Sequence, residues 1–246
     1  DLIANPNAAE LELVARYGMQ PEDVRRERLF GAFAQSGLPN RRMEAWKWTD
    51  FKAALTTLDR PSTASVEDPI PYDGALVFKF TPTGFEAPAD LPNGLSVFEK
   101  GEAQALGAAE DVPMGALAAS LAGGKSRPAT VLLEVTSSDL PRLHFQFSGA
   151  GEASFARIVI VVRPGMAVTV SESHLGGAGL EASVIEFGLQ KNASAVRTIY
   201  QRGSREEAVA STALVHLDAE AQYTQTTLSF GAKLARLETR VTHQEP

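Results

Sequence analysis

The chain has 246 residues, 44% of them apolar, no cysteine, and 30 acidic against 23 basic residues for a formal charge of -7. That length and apolar content supply a sizeable core in one large domain or two small ones, while the negative balance disfavours a phosphate-tracking groove and with it a nucleic-acid partner. Without cysteine there is no disulfide framework, no thiolate nucleophile and no thiolate metal ligand from this chain.

The first sixty residues read as a helical region, 1–60. Ala8 to Tyr17 forms one helix ending at Gly18. A second is expected over about 21–36, where Pro21, Glu22 and Asp23 suit a first turn, Val24, Leu29, Phe30 and Phe33 fall near one face, and Gly37 with Pro39 is a stop signal. A third is expected from Arg41 to Lys52, in the stretch RRMEAWKWTDF, which holds both tryptophans of the chain. On a helix Trp46 and Trp48 lie about 200° apart, and Met43 shares a face with Trp46. That geometry argues for structural packing over a recognition surface built of both rings.

Residues 61–128 form a transition region rich in Pro, Gly and Ala, with strands expected at Ala75 to Phe80 and Leu95 to Phe98 and a brief helix at Ala116 to Ala122. The longest aliphatic run, Ile158 to Val162, falls far short of the roughly 18 residues that span a bilayer. No membrane helix is expected. The N-terminus shows neither a basic nor an apolar signal region, so the cytoplasm is the expected compartment.

From 129 to 246 the chain becomes a series of short β-branched runs: TVLLEV, RLHFQF, RIVIVV, AVTVSES, SVIEFGL, AVRTIYQ, STALVHL and YTQTTLSF. Gly, Asn, Asp or Ser separates them, which argues for an all-β region. The segments around Ala167, Ala195 and Ala221 line up at offsets of 28 and 26. A repeat of that length suits a β-solenoid in which each coil stacks on the next, and an irregular sandwich is the alternative. RIVIVV suits a strand buried on both faces, and RLHFQF one with a single buried face.

Gly123, Gly124, Lys125 and Ser126 resemble the end of a phosphate-binding loop, but Ala119 occupies the position of the first required glycine, and a simple loop is the preferred reading. His174, Gly176, Gly177 and Gly179 read as a bend between coils. None of His144, His174, His216 and His243 forms a local ligand pair. One coil of separation could stack His216 on His243 as a metal column, but hydrogen-bonded strand histidines are the simpler reading. Glu134, Glu152, Glu172 and Glu181 offer a glycosidase-like carboxylate pair, yet the β-region lacks tryptophan, so exposed aromatic platforms are scarce. No catalytic, cofactor-binding or metal residue is assigned.

GLPNRRMEAWKWTDF, from Gly37 to Phe51, resembles the N-terminal motif of the SufD branch of the SufB/SufD family of iron-sulfur cluster assembly scaffolds, with Trp48 where Tyr is usual. PGMAVTVSES, KNASAVRTIYQ and DAEAQYTQTTLSFGAKLARLETRV, with its small-Gly-x-x-x-x-Arg run from Gly231 to Arg236, are similar to successive coils of the same family. The resemblance implies a mainly β fold, a right-handed parallel β-helix behind a helical N-terminal region, and a non-enzymatic scaffold. It implies SufB and the ATPase SufC as partners, with a homodimer as the alternative state in isolation. No cofactor is implied for this chain alone, and a nascent iron-sulfur cluster only for the larger complex. The family's C-terminal helical domain is missing before Pro246, so a piece of a longer protein is expected, and the family's cluster-ligating histidine matches no histidine here. A solenoid carbohydrate-active enzyme and a generic solenoid binding module are the functional alternatives.

Overall fold

The chain is arranged as two facing six-stranded sheets with a layer of helices on the outside of one of them. The computed structural model describes residues 5–60, 67–99, 112–123, 129–177 and 179–244. In order, the elements are α1 (Ala8–Gly18), α2 (Val24–Ser36), a 3-10 turn (Glu44–Trp46), α3 (Phe51–Ala54), β1 (Leu76–Thr81), β2 (Gly84–Glu86), β3 (Leu95–Glu99) and α4 (Pro113–Leu121). Then come β4 (Thr130–Val135), β5 (Leu143–Phe147), β6 (Ser154–Val162), β7 (Ala167–His174), β8 (Leu180–Leu189), β9 (Ser194–Arg202), β10 (Ala208–Leu217), β11 (Gln222–Phe230) and β12 (Leu234–His243).

From β4 onward successive strands alternate between the sheets, so each coil contributes one strand to each. The first sheet runs β11-β9-β7-β5-β1-β2 and the second β12-β10-β8-β6-β4-β3. All neighbours pair parallel except β1 with β2 and β3 with β4, which pair antiparallel. The fold is therefore mainly β, a parallel solenoid of about four turns with a few N-terminal helices, as expected. The strands expected at Ala75 to Phe80 and Leu95 to Phe98 belong to these sheets, as β1 and β3.

The coil corners explain the small-residue repeat and correct its alignment. Ala167 faces Ser194, and Ser194 faces Gln222. The matching corner residues are Met166, Ala193 and Ala221, each closing a turn onto Arg163, Gln190 and Asp218. The residue before each has positive φ, at Gly165 (72°), Asn192 (59°) and Glu220 (61°). Only the first has the glycine that such a turn favours. The corners also stack: Gly165 N–H donates to Lys191 O, and Asn192 N–H to Ala219 O.

Strand alternation builds two cores. Ile158, Ile160, Val162, Ile185, Phe187 and Val215 point into the solenoid with Phe78, Phe80, Phe145 and Phe147. The opposite parity of the second sheet, including Phe155, Ala182, Val184, Ala210 and Leu214, meets α1, α2 and α4. RIVIVV is therefore buried on both sides, as read from its continuous apolarity.

Three of the helices, α1, α2 and α3, start where side chains cap them, while α4 starts with Pro113 at its first turn. Asn7 and Glu10 form a reciprocal capping box on α1. Asp23 caps α2 through Arg25 and Arg26 N–H, so that helix begins at Val24 and Pro21 lies before it. The single helix expected from Arg41 to Lys52 is not formed: a 3-10 turn ends at Trp46, and Asp50 caps the separate short α3 through Ala53 N–H. Gly179 allows Leu58 to pass the coil corner, since a Cβ there would lie 2.4 Å from Leu58 O.

Candidate functional site

Period-two alternation carries polar residues into the solenoid interior. Val168 and Val170 of β7 face inward, and the same parity places Glu172 and His174 inside. On β9, inward Ala195 and, at the same parity, buried Ile199 bracket Arg197. On β8, Glu181 shares the inward parity of Ile185 and Phe187.

These side chains form one enclosed network. Arg197 makes a bidentate pair with Glu172, Nε to Oε1 and Nη2 to Oε2, the latter at 2.8 Å. His174 joins Glu172 through Nε2 at 3.3 Å and Glu181 through Nδ1. Toward the last coil, Arg197 Nη1 donates to Gln225 Oε1 at 3.2 Å, and that oxygen also accepts from Tyr223 Oη at 2.7 Å and Thr239 Oγ1 at 3.1 Å. Phe147 stacks on the His174 ring with centroids 4.6 Å apart. Glu172 and His174 are fully buried and Arg197 is 1% exposed.

Burial opposes every charge here, and pairing overcomes it. For Glu172 the cost of burial is outweighed by Arg197 and His174, which hold the carboxyl down to about 2. Burial likewise works against the His174 cation, but Glu181 and Glu172 push its pKa up to about 9. Arg197 is held above its ordinary value by Glu172 against its own burial. The imidazole is thus a fixed cation between two carboxylates, an arrangement that ties β7, β8 and β9 together.

A second cluster lies on the outer face of the first sheet. His144 Nε2 meets Asp68 Oδ2 at 2.9 Å and His144 Nδ1 meets Ser171 Oγ at 2.8 Å. A hydroxyl, an imidazole and a carboxylate in series have the composition of a nucleophilic triad. Here Ser171 is only 3% exposed, and Asp68 also accepts from Ser173 Oγ, Tyr72 Oη and Ile70 N–H. Although burial raises the Asp68 pKa, these donors outweigh it and hold the carboxyl well below the usual range. The group is a clasp that holds the segment around Asp68 to β5 and β7.

The motif RRMEAWKWTDF has a specific partner. Trp46 is buried against Phe51, and the guanidinium of Arg236 on β12 lies 3.9 Å from the Trp46 ring centroid. Arg236 Nη1 also donates to Ala45 O and Thr49 Oγ1. Trp48 is 88% exposed, with Lys47 over its ring. The two rings do point apart, through a turn and not a helix. Buried Glu10 anchors the same region, accepting from Leu38 N–H and pairing with Lys52 at 2.9 Å.

Other residues singled out in the sequence stay apart. His216 faces Thr242, while His243 faces Leu217, so the two histidines are one register position out and no column forms. Glu134 pairs with Arg163 outside the lumen. Glu172 and Glu181 are brought together, but inside a closed core where no polysaccharide fits. Gly123 lies in the turn after α4, and Gly124, Lys125 and Ser126 lie outside the described residues. No cluster of three or more metal-binding side chains occurs among the described residues, and none of their helices is long and apolar enough to cross a membrane.

With this solenoid in view, comparison with known families bears on its later coils. Residues 145–246 match the SufBD core domain of the SUF system for FeS cluster assembly. The match supports the SufB/SufD family and a part in iron-sulfur cluster assembly. It does not separate SufD from SufB, and no curated protein matches the chain. The SufBD core match begins at Phe145 in β5 and takes in the lumen network and Arg236.

Proposed function

We propose that the chain is a SufD-type, non-catalytic scaffold subunit of Suf iron-sulfur cluster assembly, pairing with SufB and working with the ATPase SufC in the cytoplasm. The observation that carries this reading is the SufBD core match over residues 145–246, on strands that form a parallel solenoid. SufD is favoured over SufB by the absence of cysteine, since thiolates are the usual ligands of such clusters. The nascent cluster then belongs to the assembly and not to this chain alone. A scaffold role also agrees with the lumen chemistry, where Glu172, His174 and Arg197 are enclosed and mutually paired. A glycosidase is disfavoured by the same enclosure, because its acid needs a raised pKa and an open cleft, whereas Glu172 is lowered to about 2.

Co-expression of the tagged chain with a SufB-type protein and a SufC-type ATPase tests the proposal. Recovery of a complex containing all three at fixed stoichiometry is expected. Purification of the tagged chain free of both, at concentrations where each partner is folded, would overturn it.

A further inference from the structure

On the helix-covered side of the second sheet, a cavity of about 290 Å³ lies between the start of α2, the end of α4 and strands β4 and β6. Its polar lining is Asp23, Arg25, Arg26, Thr130 and Arg157. Arg157 is 7% exposed. Its Nε donates to Glu186 Oε1 at 2.8 Å, but its Nη2 is buried without a hydrogen-bond partner. A guanidinium is built to grip an oxyanion with two adjacent donors, and a buried donor left unused is costly to keep.

The surrounding charges favour an anion. Arg26 is fixed at the cavity by Gln20 Oε1 at 3.2 Å and Pro21 O at 3.0 Å, and Arg25 adds a third cation. Two carboxylates oppose them, but both are committed: Asp23 caps α2 through Arg25 and Arg26 N–H, and Glu186 takes Arg157 Nε. The carbonyl of Ala122, which follows α4, is also occupied, accepting from Ala129 N–H at 2.8 Å and Thr130 Oγ1 at 3.3 Å. Arg157 and Arg26 thus present cationic donors to the cavity in a chain of net charge -7.

We propose that this cavity binds a small oxyanion of the phosphate class, with Arg157 supplying the paired donors and Arg25 and Arg26 the surrounding charge. Its volume exceeds a bare phosphate and admits a phosphate ester, whose uncharged part would rest on Leu29 and Ala119. Gly123 lines the cavity as well, although the sequence around it does not meet the phosphate-loop pattern.

Titration of the full chain with inorganic phosphate at constant ionic strength, followed by calorimetry or amide chemical shifts, tests the site. Saturable one-to-one binding is expected, with sulfate competing and chloride without effect. In the double variant R157Q/E186Q, which keeps neutral partners of similar shape in the core, affinity is expected to fall by at least about tenfold, the loss of a charge-assisted pair. If that variant does not fold, R25S/R26M at the cavity mouth decides, with the same loss expected. Absence of saturable binding to the native chain, or unchanged affinity in a folded variant, overturns the proposal.

Discussion

Trp46 and Trp48 are two positions apart in sequence, and their environments have little in common. Trp46 is 3% exposed and carries the Arg236 guanidinium on its face. Replacing it with Ala should cost about 3–5 kcal/mol, the usual range for a buried aromatic, and should loosen β12. Trp48→Ala at an 88% exposed position should change stability by no more than about 0.5 kcal/mol. Urea midpoints of the two variants check both values. Glu220 is exposed at a coil corner with φ of 61°, where the equivalent turn at Gly165 has glycine. Glu220→Gly should therefore stabilise the chain by about 1 kcal/mol, read as a rise in melting temperature. The opposed tryptophans were expected from helical spacing, and they do point apart, but a 3-10 turn and not a helix separates them. Arg236 as partner was not expected, because its hydrogen bond to the adjacent Ala45 already joins residues 191 positions apart and no local pattern encodes such a contact.

At the scale of elements, the strands were legible wherever alternation was strong. All eight β-branched runs are strands, β4 to β11. β12 was not singled out as a run of its own, because LARLETRVTH is largely polar and half exposed at the end of its sheet. The lumen network was readable in principle: extending the inward parity of Val168 and Val170 by two and four positions reaches Glu172 and His174. Hydrophobic patterning conceals it, because a polar residue at core parity looks like an outward one. The network ties three strands, so breaking it should act on them together. Arg197→Met leaves buried Glu172 without its bidentate partner, with only the longer contact to His174, and should cost about 3–5 kcal/mol, and R197M/E172M should recover most of that loss. Equilibrium denaturation of the single and double variants measures the difference.

The same strands set a pH window. Glu172 is lowered from 4.5 to about 2, so its contribution is present above about pH 4.5 and is lost as pH falls toward 2. His174 is raised from 6.5 to about 9, so its contribution is complete below about pH 6.5 and is lost as pH rises through 9. Their contributions overlap fully between pH 4.5 and 6.5. Between pH 6.5 and 9.5 the native chain should lose on the order of 3 kcal/mol more than His174→Gln does over the same range. Denaturant midpoints across that range check the slope, and equal slopes for the two proteins would remove His174 from the account.

For the whole molecule, residues distant in the chain meet in one solenoid with its helical layer laid on the second sheet. The SufBD core match covers the later coils, while the N-terminal motif that resembles the same family touches them through Trp46 and Arg236. The β-content was legible because turns separate the β-branched runs, whereas their spacing left a sandwich open and the family resemblance favoured the solenoid. The candidate site was less so, since enclosed ion pairs leave no motif. The role proposed for this chain is that of a scaffold that serves cluster assembly and contributes no cysteine ligand. It is tested most directly by supplying iron, sulfide and ATP to SufB-type and SufC-type proteins with and without this chain, and following visible absorbance. The account predicts that the chain alone develops no stable cluster band, and that adding it to the other two increases the amount formed. A stable cluster on the isolated chain, or no effect on assembly by the other two, would contradict it.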